Sequence, residues 1–351
     1  MIFVIRTTVR APGVIKLFGE HAVVYGKTAV GATVNMYSTA TTEPNGDGLY
    51  INLEDIGLDS EISNSTLSDL YMLRSKSNSL QEFISNSKGI DLAFLPFAII
   101  AGSITHHFGK EPSVRSIIKS NLPPQRGFAS SATVSVCFAL SLIKHLKIKI
   151  SDEEFVKLAR EGEKIYHKSE GAGIIDVNTS YYGGFVSYSK DEGIKKFVAG
   201  GNINETNLIL VDTGPKKSTA ETVAHVAELM QKKNKETKEI IENIGNLAIE
   251  GETALKKGNV AEIGKLMTAN HNLLKKLGVS SAGLDKTVDI AIHNGAYGAK
   301  LSGGGGGGLA IVLVGKDKLP LISGKLTAEG YGVSACSLVN RGAKDEVTIN
   351  S

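Results

Sequence analysis

The sequence predicts an α+β protein with two domains, and three observations support this fold class. The chain has 351 residues, which is more than a single hydrophobic core usually organises. Residues 1–190 combine short apolar strands with helical patterns. Residues 191–351 follow the order strand, helices, strand, strand, helix, strand, which is the split βαβ or ferredoxin-like arrangement. A strand, a turn and a polar connection at 187–206 mark the boundary between the two domains.

The first domain begins with alternating apolar segments that predict strands. Residues 2–9 form the first strand, and Pro12 with Gly13 marks a turn after it. The tetrapeptide Asn45-Gly-Asp-Gly48 is a strong hairpin signal between two further strands. In chain order, the predicted strands of this half lie at 2–9, 28–36, 48–53 and 114–119, with surface helix and loop at 60–90 and a buried helix at 92–108.

Two capping boxes mark the starts of helices. Ser151 with Glu154 opens a helix in the first domain, and Ser218 with Glu221 opens one in the second. Helical patterns then continue to residue 294. The remaining elements of the second domain are strands at 207–211, 299–302, 309–314 and 333–338, with a helix at 317–330.

Composition and charge exclude several classes of protein. A hydrophobic content of 42% is ordinary for a globular protein, and a net charge of +3 is too small to indicate a nucleic-acid partner. The longest apolar run, residues 92–101, contains Pro96 and is half of the roughly 20 residues that a membrane span needs. The amino terminus resembles a strand rather than a signal peptide, and Cys137 and Cys336 lie apart in apolar runs. We therefore expect a cytoplasmic protein with reduced thiols and without nucleic-acid or membrane partners.

Two unusual stretches carry candidate chemistry in the first domain. Residues 9–28 place Lys16, Glu20 and His21 within an otherwise apolar run, which favours the lining of a site over satisfied core groups. Residues 123–132 form a turn of small residues that leads into an apolar helix, whose free amides and dipole suit an anion. Taken alone, this second stretch is equally well explained by an ordinary capped core helix.

A third unusual stretch is the run of six glycines at 303–308, which lies between two apolar strands. The run formally contains the dinucleotide-binding glycine pattern, but a strand follows it where that motif requires a helix. Gly26-Lys-Thr28 resembles the end of a P-loop, yet His21 stands where the P-loop requires glycine. The protein-kinase motifs are absent from the sequence. The glycine run therefore indicates backbone that packs closely against another part of the molecule.

Three carboxylates of the first domain are candidate functional groups, namely Glu154, Glu163 and Asp176. On the wheel of the helix that starts after Ser151, Glu154 and Glu163 flank the apolar stripe on opposite sides, so the pattern does not decide which is functional. Asp176 ends the turn at 171–176. An acid at such a position is more often a helix cap or a turn residue than a catalyst.

Together the stretches resemble one family, the small-molecule kinases named for galactokinase, homoserine kinase, mevalonate kinase and phosphomevalonate kinase (GHMP kinases), and within it the mevalonate kinase branch. The main matches are Ala11-Pro-Gly-x-x-Lys-x-x-Gly-Glu-His-Ala-Val-Val-Tyr-Gly26, Pro123-Pro-x-x-Gly-x-x-Ser-Ser-Ala132 and Lys300-Leu-Ser-Gly-Gly-Gly-Gly-Gly-Gly308. Further matches are Gly162-Glu-Lys-Ile-Tyr-His167 with Asp176, Asn270-His-Asn-Leu-Leu274, and Leu277-Gly-Val-Ser280 with Leu284-Asp285. The likeness covers most of the chain and is weakest at 56–110.

The resemblance implies a fold and an activity. The fold has an N-terminal ribosomal-protein-S5-like domain, residues 1–190, and a ferredoxin-like C-terminal domain, residues 191–351. The activity is the transfer of phosphate from ATP to the 5-hydroxyl of mevalonate, with Mg²⁺ as cofactor.

The resemblance also implies roles for individual residues. The catalytic base would be Asp176 with Lys16 as its charged neighbour, and the metal ligands would be Ser131 and Glu163. The nucleotide contacts would be Asp55, Ser120 and the phosphate loop Gln125, Arg126, Gly127, Phe128, Ala129, Ser130 and Ser131. The substrate contacts would be Lys16, Glu20, His21 and Thr219.

The phosphate loop departs from the usual pattern Gly-Ala-Gly-Leu-Gly-Ser-Ser, because residues 125–131 read Gln-Arg-Gly-Phe-Ala-Ser-Ser. Ala129 in a glycine position requires either a negative φ or a tolerated strain of about 1 kcal/mol. Arg126 either contacts phosphate or faces solvent, and we favour solvent because backbone amides already form the cradle. Glu163 and Asp176 are also separated by two residues more than is usual, which alters the loop between them.

Two other classes of function stay open at this stage. The first is another kinase of the family, acting on phosphomevalonate or a sugar, but a phosphorylated substrate requires more Lys and Arg than residues 9–28 contain. The second is a non-catalytic, ligand-sensing member, which the joint retention of Lys16, Glu163 and Asp176 disfavours. The sequence leaves the oligomeric state open, a homodimer included.

Overall fold

The computed structural model describes residues 5–122, 129–201, 203, 206–214, 218–232 and 234–350. The strands are Arg6–Phe18 (β1), Ala29–Pro44 (β2), Leu49–Leu53 (β3), Leu58–Ile62 (β4), Val114–Ser120 (β5), Phe185–Ser189 (β6), Gly193–Phe197 (β7), Asn207–Asp212 (β8), Gly298–Leu301 (β9), Leu309–Val314 (β10), Gly332–Cys336 (β11) and Val347–Asn350 (β12). The helices are Asn64–Lys76 (α1), Leu80–Asn86 (α2), Leu95–Phe108 (α3), Ser130–His145 (α4), Asp152–His167 (α5), Ile174–Tyr182 (α6), Thr219–Lys232 (α7), Asn234–Lys257 (α8), Val260–Lys276 (α9), Ala282–His293 (α10) and Leu319–Ala328 (α11).

Eight strands form the first sheet, in the order β12-β1-β2-β5-β3-β4, with β6 bound to β2 and β7 bound to β6. The predicted turn at Pro12 and Gly13 is wrong, because β1 continues through both residues to Phe18. The pairing of β1 with β2 shifts register between Pro12 and Gly13, and again between Lys16 and Phe18. Irregularities of this kind bend a strand without ending it.

The predicted hairpin at 45–48 is also wrong. These residues do join β2 to β3, but β5 lies between the two strands in the sheet. β5 pairs antiparallel with β2 and parallel with β3. The turn signal is therefore correct about a reversal of the chain, and it carries no information about a third strand from residues 114–120.

The core of the first half lies between this sheet and its helices. The helix predicted at 92–108 is confirmed as α3, and residues 95–104 of it are buried. α4 packs on β1 and β2, and the ring of its Phe138 meets that of Phe97 on α3 edge to face, with centroids 5.2 Å apart. Burial of apolar surface on this scale is the main stabilising contribution to such a domain.

The second sheet has four antiparallel strands in the order β11-β8-β10-β9. β8 and β9 are parallel to each other with β10 between them, so the split βαβ prediction for the second half is confirmed. The predicted strands and the helix of this half end within a few residues of the observed ones. The glycine run 303–308 connects β9 to β10.

The chain returns to the first sheet at two places beyond residue 190. β7 pairs with β6, and β12 pairs with β1. The domain boundary between residues 190 and 191 therefore stays a prediction. One buried cluster contains Ile15 and Phe18 of β1 together with Leu210 of β8, so the two sheets share part of their core. Among the described helices, none is both long and apolar enough to cross a membrane.

Candidate active site

The ammonium of Lys16 and the carboxylate of Asp176 form an ion pair, with Nζ 2.9 Å from Oδ2. Their side chains are 26% and 13% exposed, so the pair is only partly accessible to water. Burial, the largest influence, lowers the pKa of Lys16, but the attraction of Asp176 and of two further carboxylates outweighs it and raises the pKa above 10.5. The second oxygen of Asp176 is buried and accepts no hydrogen bond from the part of the chain that the structure describes. It can accept a proton, or a hydrogen bond from a hydroxyl group.

Local structure explains why these two side chains meet. Lys16 lies on β1 immediately before its second register shift. Asp176 is the third residue of α6, and its helix begins after Gly173, which has a φ of 74°. An acid in the first turn of a helix lies at the positive end of the helix dipole, which attracts negative charge.

Glu163 is the second carboxylate of the site, and its side chain is fully buried on α5. Neither of its oxygens accepts a hydrogen bond from the described residues. Glu154, the alternative at the sequence level, is instead an exposed residue that closes the capping box with Ser151. The structure therefore separates two residues that the helical wheel left equivalent.

A histidine links Glu163 to Ser131. His167 Nε2 lies 3.4 Å from Glu163 Oε2 and also 3.4 Å from Ser131 Oγ. The nearby carboxylate raises the pKa of His167 above its ordinary value of 6.5. Ser131, in the first turn of α4, is thus held near Glu163 through His167, and the role of both residues as metal ligands stays a prediction. The role of His167 was missed at the sequence level, although its i+4 spacing from Glu163 on a helix is a usable signal.

The start of α4 contains the last part of the predicted phosphate loop. Ala129 is the N-cap and has φ 48°, so the tolerated-strain alternative applies rather than a negative φ. Ser130 and Ser131 follow in the first turn. Gln125, Arg126, Gly127 and Phe128 lie outside the described residues, and their predicted roles stay predictions.

Glu20 and His21, two predicted substrate contacts, are both held by the segment around the glycine run. The ammonium of Lys300 on β9 bonds Glu20 Oε1 in a fully buried ion pair. His21 Nε2 lies 2.9 Å from the carbonyl oxygen of Gly304, to which it donates. Burial lowers the pKa of His21, so its neutral form is favoured. The other oxygen of Glu20 is buried and accepts no hydrogen bond from the described residues.

Thr219 begins α7 on the far side of the same glycine run. A Cβ built on Gly304 would lie 3.0 Å from Thr219 Oγ1 and equally far from Thr222 Oγ1. A side chain at this position would press on both hydroxyls, so glycine favours the close approach. The run thus brings Thr219 near His21 through their common neighbour Gly304.

Asp55 and Ser120 form a separate group. Asp55 Oδ2 accepts a hydrogen bond from the backbone N–H of Ser120. Both residues line a cavity of about 260 Å³ whose other walls are Arg10, Tyr37, Thr39, Lys119 and Asn121. Neither Lys16 nor Asp176 lines this cavity. A larger cavity of about 600 Å³ is bounded by residues of α1, α3 and α5 and contains Glu154 but none of the predicted site residues.

The donor set around Glu163 fits a hard divalent cation. Two buried carboxylate oxygens that accept no hydrogen bond from the described residues, beside a serine hydroxyl, are oxygen ligands of the kind that Mg²⁺ prefers. Within the described ranges, no cluster of three or more His, Cys, Asp or Glu side chains could hold a metal. That is expected where phosphate oxygens of a nucleotide and water complete the coordination, because Mg²⁺ in nucleotide sites is usually held by one or two carboxylates plus phosphate.

Comparison with known proteins agrees with this geometry. The family model for the GHMP kinases N terminal domain matches residues 97–184, and that for the GHMP kinases C terminal matches residues 252–332. The mevalonate kinase of Methanocaldococcus jannaschii is 32% identical over 337 residues, which cover 95% of this chain and 99% of that protein.

Solved structures agree as well. The crystal structure of the Methanococcus jannaschii mevalonate kinase superimposes with a TM-score of 0.79 at 27% identity, covering 95% of this chain and 98% of that one. The L. major mevalonate kinase in complex with R-mevalonate gives a TM-score of 0.73 at 25% identity, covering 96% and 97%.

Proposed function

Since the chain belongs to the GHMP kinase family, and within it to the mevalonate kinases, we propose that it transfers the γ-phosphoryl group of ATP to the 5-hydroxyl of mevalonate. The observation that carries this proposal is the Lys16–Asp176 ion pair. The first turn of α4 and the buried carboxylate of Glu163 accompany it. Phosphoryl transfer requires little covalent chemistry from a protein. It depends on positioning and on stabilising negative charge.

Asp176 is the proposed general base. The substrate hydroxyl oxygen attacks the γ-phosphorus while the bond to the leaving ADP breaks. The second carboxylate oxygen of Asp176, Oδ1, accepts the proton of that hydroxyl. The ammonium of Lys16 lies beside that carboxylate and favours the negative charge that develops on the attacking oxygen. These two residues therefore act as one unit.

Ser131 and Glu163 are the proposed ligands of Mg²⁺. Bound there, the ion would offset the charge of the β- and γ-phosphates. The backbone amides at the start of α4 present donors to phosphate oxygens, and the helix dipole adds to that attraction. The phosphate loop from Gln125 to Phe128 would complete this cradle. Asp55 and Ser120, in their own cavity, are proposed contacts of the nucleoside part of ATP.

The substrate pocket is proposed to lie between Lys16, Glu20, His21 and Thr219. Lys300 holds the carboxylate of Glu20 in place, and the charge of Glu20 acts on the nearby cation of Lys16. A pocket with this cation suits a small alcohol that carries a carboxylate. ATP and mevalonate are the proposed partners, nucleotide and substrate meet between domains 1–190 and 191–351, and a homodimer stays open.

A coupled assay of ADP release with mevalonate, phosphomevalonate, galactose and homoserine tests the proposal. We expect turnover with mevalonate and Mg²⁺, at least about a hundredfold above the other alcohols in kcat/KM. The Lys16→Met variant is the matched control for contaminating kinases. A preference for phosphomevalonate or galactose would mean that mevalonate is not the substrate. A lack of turnover with every alcohol would favour the ligand-sensing alternative.

A further inference from the structure

The strand that carries Lys16 has an open edge. β12 pairs with β1 only from Arg6 to Val9, and the carbonyl of Glu346 accepts the N–H of Arg10. Beyond that point, β1 runs on to Phe18 with β2 along one edge and no described strand along the other. Backbone N–H and C=O groups on a buried open edge need other partners, because leaving them unpaired is costly.

At Lys16 a single hydroxyl provides both partners. The backbone N–H of Lys16 donates to Ser302 Oγ at 3.2 Å, and Ser302 Oγ donates to the carbonyl of Lys16, also at 3.2 Å. In an antiparallel pair, every second residue directs both its N–H and its C=O away from the partner strand. One side chain on that edge can therefore bond both groups. Lys300 Nζ adds a longer contact of 3.4 Å to the same carbonyl.

Ser302 is itself firmly held. It follows β9 directly, is 3% exposed, and its backbone N–H donates to the carbonyl of Leu309 on β10 at 3.0 Å. The second sheet thus fixes the peptide group of a residue in the first sheet. The contact joins residues that are 286 positions apart in the chain.

We propose that Ser302 is a positioning residue, which places the ammonium of Lys16 against Asp176 through the backbone of Lys16. This inference rests on the proposed function for the roles of that pair. Ser302 touches neither reacting atom. Without its hydroxyl, the N–H of Lys16 would lose its partner and the C=O would keep only the longer contact with Lys300, so the strand would shift. Misplacement of a reacting group by about 1 Å can cost about a hundredfold in rate.

Thr33 offers a matched control. It lies on β2 and is fully buried, and its hydroxyl also serves two backbone groups. It accepts the N–H of Gly184 at 2.8 Å and donates to the carbonyl of Val339 at 2.6 Å. Loss of this hydroxyl removes a comparable bridge to the C-terminal segment at a position that does not contact Lys16 or Asp176.

The first experiment compares Ser302→Ala and Thr33→Val in steady-state kinetics and thermal unfolding. We expect Ser302→Ala to lower kcat about ten- to a hundredfold with the KM for each substrate changed less than about threefold. Thr33→Val should lower the unfolding temperature to a similar extent and keep kcat within about threefold. In the Lys16→Met background, Ser302→Ala should lower the residual kcat no further. A loss of kcat that persists in that background would overturn the inference.

The second experiment does not depend on the substrate. A brief pulse of an amine-acylating reagent, followed by mass spectrometry, measures the reactivity of Lys16. The contact with Asp176 keeps its amine protonated and partly buried, so labelling should be slow in the wild type and in Thr33→Val, and faster in Ser302→Ala. Equal labelling of all three proteins would overturn the inference. Failure of the wild type to phosphorylate mevalonate, with the labelling pattern intact, would instead refute the proposed function and leave the positioning role standing.

Discussion

Lys16 Nζ and Asp176 Oδ2 lie 2.9 Å apart although 160 positions of sequence separate the two residues. Lys16 lies on β1 and Asp176 in the first turn of α6, and each side chain is mostly buried. An ion pair in such a place costs desolvation of both groups, so it is weak evidence of a stabilising role. A partly buried pair in which one carboxylate oxygen stays free is better explained by catalysis.

The first prediction concerns the interdependence of this pair. Asp176→Asn and Lys16→Met should each lower kcat/KM for mevalonate by about 10²- to 10⁴-fold. The double variant should lose little more than either single one, because each change already disables the unit. A double-mutant cycle on kcat/KM measures the coupling. Losses that multiply cleanly would mean that the two residues act independently.

Lys27→Met is the control for the removal of a lysine. Lys27 forms its ion pair with Glu242 at the surface, where the side chains are 37% and 54% exposed. Surface pairs contribute at most about 1 kcal/mol to stability. We therefore expect unchanged kinetics in this variant.

The second prediction concerns the two carboxylates on α5. Glu163→Gln should abolish most of the magnesium-dependent turnover, because an amide is a poorer ligand for a hard cation than a carboxylate. Glu154→Gln should be near neutral, because glutamine also serves at the third position of a capping box. Kinase activity titrated with Mg²⁺ checks both variants, and thermal unfolding shows whether they fold. Similar magnesium curves for the two would refute the assignment of Glu163.

The sequence predicted the local elements of the fold better than their pairing. Periodic segments such as β10 and capped helices such as α5 carry their own signals, and both are confirmed. The hairpin at 45–48 failed because β5, about seventy residues further along the chain, inserts between the strands it joins. A turn signal reports only the local direction of the chain.

The candidate site shows the same limit. A helical wheel could not separate Glu154 from Glu163, because it does not show which other elements pack against each side of α5. In the structure Glu154 is exposed and Glu163 is buried. The motif at 300–308 indicates no role for Lys300, because the partner of Lys300 is Glu20, which lies 280 positions away. A lysine in an apolar strand is nevertheless a usable signal of a buried ion pair. The phosphate loop stays a prediction throughout its residues 125–128.

The third prediction concerns pH. His271 is buried on α9, and its Nδ1 accepts the backbone N–H of Leu301 while Nε2 lies 3.2 Å from Asp285 Oδ1. Burial, the largest influence, lowers the pKa of His271 below its ordinary 6.5 despite Asp285. The unfolded chain therefore takes up this proton first as the pH falls. The free energy of unfolding should decrease from pH 6.5 down to the folded pKa, by at most about 1.4 kcal/mol per pH unit, and this contribution is constant above that range.

Denaturant unfolding at several pH values checks this prediction. His271→Gln should remove that part of the slope, since glutamine can still accept the N–H of Leu301. His293 is exposed on α10, and His293→Gln should keep the slope of the wild type. An unchanged slope in His271→Gln would mean that the histidine takes up its proton over the same pH range in the folded and the unfolded state.

The last prediction concerns the loop between Glu163 and Asp176, for which the resemblance to the family implies two additional residues. Gly173 has a φ of 74°, and a Cβ added to it would lie 2.8 Å from Cβ and 2.9 Å from Cγ of Glu163. Gly173→Ala therefore adds backbone strain of about 1–2 kcal/mol and also pushes against the proposed metal ligand. The helix that carries Glu163 is packed in the core, so the side chain has to move. Gly171 lies in the same loop with only Ser169 Oγ near its Cβ position, at 3.9 Å.

Gly171→Ala is consequently a matched control, which should be neutral or slightly stabilising, by about 0.4–1 kcal/mol, because alanine restricts the unfolded chain. Gly173→Ala should raise the Mg²⁺ concentration required for half-maximal activity, and titration of Mn²⁺ binding by electron paramagnetic resonance in the presence of ATP should show the same weakening without turnover. If both alanine variants bind Mn²⁺ alike, the close packing of Gly173 on Glu163 has no part in forming the metal site. If only Gly173→Ala is weakened, then the long loop, through its last glycine, fixes the position of the carboxylate that holds the metal.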